Sequence, residues 1–265
     1  ASPSATAQGR RLAALRLMAE AVRDDRPALV LTSPGGLLQR VAPPRAQGAA
    51  QGVAQVAWKL QVGEPMDPQA FVAWAAEAGY RVDERVDEPG EVAARGEVLD
   101  VFPAAASPVR VQVAGGAIEA IRPYDPATQL SAGEVEALWV DAASELPPEG
   151  GEGTEPERGA EHWLPDRLPA MATLMDHLPG ARLLATGAAL DAAQAFLEGL
   201  PAAQADRLRA EVEGGEARRA LPPDRLYLSP GEWGALRGQA TVLPGDPVEP
   251  APALAGEARP RTALA

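Results

Sequence analysis

The two histidines of this 265-residue chain each follow an acid, as Glu161-His162 and Asp176-His177, the pairing a general base needs. Residues adjacent in a helix or strand point in different directions, so neither pair is set up as a dyad by its spacing. Phosphate chemistry is no better served. Ser33-Pro34-Gly35-Gly36 lacks the lysine and the following Ser/Thr of a phosphate-binding loop and reads as a turn. The glycine pairs Gly150-Gly151 and Gly214-Gly215 sit among glutamates, which repel phosphates, and no dinucleotide fingerprint occurs. There are no cysteines, which removes disulfides, thiolate metal sites and cysteine nucleophiles together. The five tryptophans are dispersed, without the interleaved basic residues of a base-stacking platform.

Charge points the same way. With 24 basic and 37 acidic side chains the net charge is -13, which opposes contact with a phosphate backbone or an anionic membrane and favours a protein partner. Arginine supplies nearly all the positive charge, Lys59 being the one lysine. Together with the abundance of Ala, Gly and Pro, that bias is what codon usage in a GC-rich genome produces, and it speaks of ancestry and not of function. No apolar run reaches the length of a membrane span and the first twenty residues hold no secretory core, so a cytoplasmic protein is expected. Hydrophobic residues at 46% fit a globular chain of one large or two smaller domains. The absent initiator Met and the Pro- and Ala-rich close suggest a piece of something longer.

The elements that would position any binding arginines can be read from periodicity. Leu12, Leu15, Ala19 and Val22 predict an amphipathic helix over 10–23. Ala28-Leu29-Val30-Leu31 reads as a buried parallel strand, followed by a short helical piece over Leu37 to Val41. A strand over Val56 to Val62 precedes a helix with Asp67 as N-cap, Pro68 at its first position, Phe71, Trp74, Ala75 and Ala78 on one face and Gly79 as its stop. Tyr80 to Val86 and Val98 to Phe102 read as strands. Val109, Val111 and Val113 alternate with Arg110, Gln112 and Ala114, and Gly115-Gly116 turns the chain back into Ile118 to Ile121. Residues 80–125 are thus expected to form a small antiparallel sheet behind one helix. After a Pro/Glu/Gly-rich linker over 147–157, Ala181 to Thr186 reads as a buried strand, Leu190 to Leu200 and Ala202 to Val212 as helices, and Arg225 to Leu228 as a strand.

One stretch carries a family pattern. Ala78-Gly79-Tyr80-Arg81-Val82, Glu88-Pro89-Gly90-Glu91, Arg95-Gly96-Glu97-Val98-Leu99-Asp100-Val101-Phe102-Pro103, Pro108-Val109-Arg110-Val111 and Ile118 to Asp125 resemble, in order and spacing, a motif series of the bacterial transcription-repair coupling factors and, more loosely, of the repair protein UvrB. The likeness continues more weakly on both sides, to Arg10-Arg11-Leu12 and Leu29 upstream and to Trp163-Leu164-Pro165 and Leu183 to Leu197 downstream. The resemblance implies an α/β fold: a degenerate copy of UvrB's first, P-loop-like domain, with an inserted module of one helix and an antiparallel sheet that docks on UvrA. It divides the chain into 1–61 and 159–243 for the α/β layer, 62–146 for the insertion, 147–158 for the linker and 244–265 for the tail.

On this resemblance Arg95 and Arg110 match family arginines that contact UvrA, and Ala114 stands where the family carries an aromatic. Gly115-Gly116-Ala117 replaces the acidic residues that usually follow. Strand alternation places Arg110, Gln112 and Ala114 on the face away from the valines. The alternative for both arginines is pairing with local acids such as Asp100 or Glu119. The function implied is a non-catalytic interaction region that recruits UvrA to stalled RNA polymerase. It would need no cofactor or metal; ATP, magnesium, polymerase and DNA would be handled by domains outside this chain, and no membrane is involved. A stand-alone adaptor or decayed paralogue lacking the motor, and a small acidic hydrolase, are the competing readings.

Overall fold

The computed structural model describes residues 5–44, 57–145, 163–168, 170–214 and 220–244. The linker over 147–157, Glu161, His162 and the tail beyond Pro244 lie outside the described residues.

The best-punctuated element of the sequence forms as its signals require. Helix α3 spans Pro68–Glu77; the Asp67 carboxylate accepts the Gln69 N–H, Pro68 opens the first turn, and Phe71, Trp74 and Ala75 are buried. Gly79 ends it at φ +88, where a Cβ would also meet the Ser144 side chain at 2.5 Å. Against this helix lies a five-stranded sheet in sequence order: β2 (Arg81–Val82), β3 (Glu91–Arg95), β4 (Val98–Phe102), β5 (Val109–Ala114) and β6 (Ala117–Pro123). All neighbours are antiparallel except β2 and β3. Its inner face buries Val92, Leu99, Val101, Val109, Val111, Val113, Ile118 and Ile121 together with Phe71 and Trp74. Trp58, Phe71, Trp74 and Tyr80 form a chain of tilted and edge-on ring contacts, 5.2–6.3 Å between centroids, at one side of that core.

Strand β1 (Ala57–Gln61) pairs antiparallel along its whole length with β7 (Ala137–Asp141), and Leu60 and Val140 join the same core. Helix α1, Ala5–Arg23, begins earlier than its apolar spacing suggests and adds Leu12 to this core. Its buried positions are Gly9, Leu12 and Met18, whereas Ala19 and Val22 face solvent, because the docked face is fixed by two arginines. Arg16 donates Nε and Nη2 to the two carboxylate oxygens of Asp141 at 2.6 and 3.0 Å, and Arg11 donates to Glu145.

The remaining residues build a second core. Helix α2 (Pro34–Leu38) starts at Ser33, whose hydroxyl accepts the Gly36 N–H, so Ser33 to Gly36 is a helix entry and not a separate turn. A single-turn helix α4 (Leu164–Arg167), a 3-10 turn (Leu174–His177), strand β8 (Leu184–Thr186), helices α5 (Gly187–Gly214), α6 (Pro223–Leu226) and α7 (Pro230–Gly238), and strand β9 (Thr241–Leu243) complete the described chain. Leu37, Leu38, Leu190, Ala193, Leu197, Leu228 and Trp233 are buried together.

Several expectations are corrected in this lobe. Ala28 to Leu31 is neither a strand nor buried: Leu29 and Leu31 are 79% and 88% exposed, since the apolar face of α2 is already taken up by α5, Leu228 and Trp233. Residues 184–186 do form a strand, paired in parallel with β9, but Leu184, Val242 and Leu243 remain exposed. The two helices expected over 190–212 are one helix that runs through Pro201. Arg225 is in a helical turn opened by Pro223, and only Tyr227 makes a strand-like bridge, to Gln39.

Candidate partner-binding face

Alternation along β5 sorts its residues cleanly: Val109, Val111 and Val113 are buried, while Arg110 is half-buried and Gln112 and Ala114 are exposed on the outer face. The ladder sets their neighbours. Ala93, Asp100, Arg110 and Arg122 form one row across β3 to β6, and Arg95, Val98, Gln112 and Ala120 the next. Arg95 and Arg110 therefore lie on the same face in adjacent rows, and Ala114 closes that face at the hairpin, where Gly115 and Gly116 take φ +59 and +79.

The two arginines differ in how they are held. Arg110 donates Nε and Nη2 to the carboxylate oxygens of Asp100 at 2.7 and 2.8 Å, with its guanidinium 5.2 Å from the Tyr124 ring centroid. The hydrogen bond to Asp100 raises the pKa of Arg110 further above its ordinary value. Burial pushes the Tyr124 hydroxyl upward, and it donates to the Val86 carbonyl at 2.8 Å. Arg95 is exposed and donates to a backbone carbonyl, that of Glu84, with no carboxylate partner among the described residues. The local pairing considered for both arginines thus exists for Arg110, with Asp100, and takes a neutral backbone form for Arg95. Glu119 is displaced by an irregularity in the β5–β6 register and is exposed.

Around these residues the face is polar and only partly committed. Arg122 donates to Gln112 and to Glu134 at 3.0 Å each. Beneath the Tyr124 end, Val86, Ala93 and Tyr124 make a small buried cluster with half-buried Phe102. Sequence reading did not single out Tyr124, Val86, Gln129 or Arg122 as parts of this face. Arg122 comes opposite Arg110 only because the β5–β6 register shifts at Glu119, since a regular hairpin would pair Arg110 with Ile121, and alternation does not reveal that shift; Gln129 comes from a loop whose path no periodicity reveals. Of the two histidine pairs only Asp176-His177 lies among the described residues, and it is not a dyad: His177 is buried with Nε2 2.9 Å from the Ala42 carbonyl, and the Asp176 carboxylate accepts from Thr173 in a capping box. No group of three or more metal-ligating side chains occurs among the described residues.

Known proteins match the part of the chain that carries this face. Residues 58–146 match the UvrB interaction domain. The matched stretch takes in β1, α3, the five-stranded sheet and β7, but not α1. Transcription-repair-coupling factors of Staphylococcus aureus (strain USA300) and Staphylococcus haemolyticus are 34% and 33% identical to this chain over 86 residues. Each alignment covers 32% of this chain and 7% of the relative's length. The UvrB-like region of a coupling factor is thus what this domain is similar to, in sequence and in its α/β make-up.

Proposed function

We propose that residues 58–146 are a docking domain for UvrA, in the interaction region of a transcription-repair coupling factor that brings UvrA to stalled RNA polymerase in nucleotide excision repair. The observation that carries the reading is the asymmetry of the sheet. One face is packed on α3, and the other carries exposed Arg95, Gln112 and Ala114 with half-buried Arg110 and Arg122, within a domain of this matched kind. A guanidinium row on a rigid sheet is suited to carboxylates of a partner. The domain acts by binding and not by catalysis, and nucleotide, polymerase and DNA belong to other parts of the longer protein. The lobe built from α2, α5, α7, β8 and β9 is read as the remnant of a P-loop-like α/β layer, supported by the parallel β8–β9 pair and the helix that follows β8. No described helix is long and apolar enough to cross a membrane.

The test is biolayer interferometry of the chain against purified UvrA, with Arg95→Ala and Arg110→Ala. Binding by the wild type that falls by about 1–3 kcal/mol in each variant supports the site. Wild-type binding untouched by both substitutions rejects it.

A further inference from the structure

Glu91 is only 2% exposed, yet it lies on the outer side of β3, four residues from Arg95 and away from Arg110. A buried carboxylate is costly unless every oxygen is used. Both are. One oxygen, Oε2, accepts the backbone N–H groups of Asp87 and Glu88 at 2.9 and 2.8 Å, and the other, Oε1, accepts from the Arg81 guanidinium. The carboxylate therefore folds the 83–90 loop back on the edge of the sheet. The same loop is anchored at both ends, by Arg81 N–H to the Gly90 carbonyl and Asp83 N–H to the Val92 carbonyl.

One carbonyl of that loop holds Arg95, and another holds the residues that flank Arg110. Glu84 offers its carbonyl to Arg95. The Val86 carbonyl accepts the Tyr124 hydroxyl at 2.8 Å, and Tyr124 is the ring against which Arg110 lies. It also takes a longer contact from Gln129 Nε2 at 3.4 Å. Gln129 sits at φ +60, rare for a residue with a side chain, and its Oε1 is 3.4 Å from Arg110 Nη2. The bonds from Tyr124 and Gln129 to the Val86 carbonyl are separate from the Arg110–Asp100 pair, so the loop adds support to Arg110 beyond that pair.

We infer that Glu91 is a positioning residue for the partner-binding face, holding the 83–90 loop so that its carbonyls fix Arg95 directly and Arg110 through Tyr124 and Gln129. This rests on the reading of that face as the UvrA-docking surface. Glu91→Gln tests it sharply. An amide keeps the shape but replaces one acceptor oxygen by an NH₂ group, which must then face either the Asp87 and Glu88 N–H donors or the Arg81 donor.

Three measurements decide the matter: amide hydrogen exchange of Asp87 and Glu88, side-chain Nε–H order of Arg95 by ¹⁵N NMR, and affinity for UvrA. Glu91→Gln is expected to speed exchange at both amides, to loosen Arg95, and to weaken UvrA binding about tenfold, the size of one lost charge-assisted hydrogen-bond set. In an Arg95→Ala, Arg110→Ala background the same substitution is expected to have no further effect on binding, although its effect on exchange remains, because Glu91 acts only through those side chains. Unchanged exchange in Glu91→Gln, or an equal loss of binding in the arginine-free background, overturns the inference. Should Glu91→Gln fail to fold, Arg81→Gln withdraws one partner from the carboxylate at a largely exposed position; wild-type exchange and Arg95 order in that variant overturn it equally. If the wild type does not bind UvrA, the docking reading fails by itself, and the exchange and Arg95 order still decide whether Glu91 holds the loop.

Discussion

Arg110 and Asp100 face each other across β4 and β5 as a two-point pair, Nε to Oδ1 at 2.7 Å and Nη2 to Oδ2 at 2.8 Å, directly opposite in the strand register. Arg95, in the adjacent row, donates instead to the Glu84 carbonyl and has no carboxylate pair among the described residues, and the two arginines should therefore separate in stability even if both contribute to binding. Arg110→Ala leaves the Asp100 carboxylate, only 19% exposed, without its cation, and is expected to lower stability by about 1–2 kcal/mol. Arg95→Ala should stay within about 0.5 kcal/mol of wild type. Urea melts of the two variants check the difference, and equal stabilities would show that the Asp100 pair adds nothing to folding.

Ala114 is a bare position on the proposed docking face. It is exposed, on the Arg110 side of β5, next to the hairpin turn. Ala114→Phe adds an aromatic to solvent without displacing any core side chain, so melting should change by less than about 0.5 kcal/mol. Affinity for UvrA should rise by about 1–2 kcal/mol if the added ring is seated against the partner. A binding assay in parallel with the arginine variants reads this, and an affinity equal to wild type would mean that the partner does not reach the hairpin.

The second lobe carries a carboxylate tuned by its neighbours. Glu232 accepts from Arg40 with both oxygens at 2.8 and 2.7 Å and from the Ser229 N–H and hydroxyl at 2.7 Å each, completing the capping box of α7. The Arg40 hydrogen bond, followed by those from Ser229, depresses its pKa to about 2. A carboxylate depressed in the folded state stabilises above its unfolded pKa and loses that contribution as pH falls. The contribution should thus be full at neutral pH and fade between about 4.5 and about 2. Glu232 is 43% exposed on its side chain, so screening limits the effect; Glu232→Ala should cost about 1 kcal/mol at pH 7, mostly as a lost cap. Acid titrations followed by Trp233 fluorescence should show a smaller wild-type to variant difference at pH 2 than at pH 7; a constant difference would reject the assignment.

What could be read in advance follows from where the local signal was unambiguous. Helix α3 carried its own cap, first-turn proline and stop, and the β5–β6 hairpin carried alternation plus a glycine turn, so the face with Arg110 and Ala114 was legible from residues alone. Strand β3 was not: in Glu91-Val92-Ala93-Ala94-Arg95 the first three residues are all buried, so no alternation survives, and two alanines give no strand preference. That omission hid Glu91 and with it the loop that supports both arginines. Ala28 to Leu31 shows the opposite error, a strand-like apolar run that the packing of α2 on α5 leaves outside the core. Helix α1 was found by period, and Leu12 is buried as expected, but Ala19 and Val22 lie outside, because Arg11 and Arg16, which look like solvent-facing charges, are residues that dock it.

The last prediction concerns that docking. Gly9 lies inside α1, where replacement by alanine normally favours the helix by roughly 0.8–1 kcal/mol. Here a Cβ would stand 2.3 Å from the Ala104 Cβ and 3.3 Å from its backbone, so the helix must move off the sheet or Ala104 must shift. Ala104 is 3% exposed, and its N–H lies 3.4 Å from the Tyr80 hydroxyl, itself donating to the Asp141 carbonyl at 2.6 Å. Asp141 in turn holds Arg16, whose guanidinium lies 5.0 Å from the Trp139 ring centroid. Displacing α1 therefore loosens a pair whose carboxylate is buried, and overpacking of this kind costs about 1–3 kcal/mol, more than the helix propensity returns. Gly9→Ala is expected to lower the melting midpoint of the domain, and Gly9→Ala combined with Ala104→Gly to recover most of the loss, since the second change removes the Cβ that the first one meets. Thermal melts of the wild type, both single variants and the pair measure the coupling. A Gly9→Ala variant that is more stable than wild type would show that α1 is held loosely and that the UvrB-type domain stands without it.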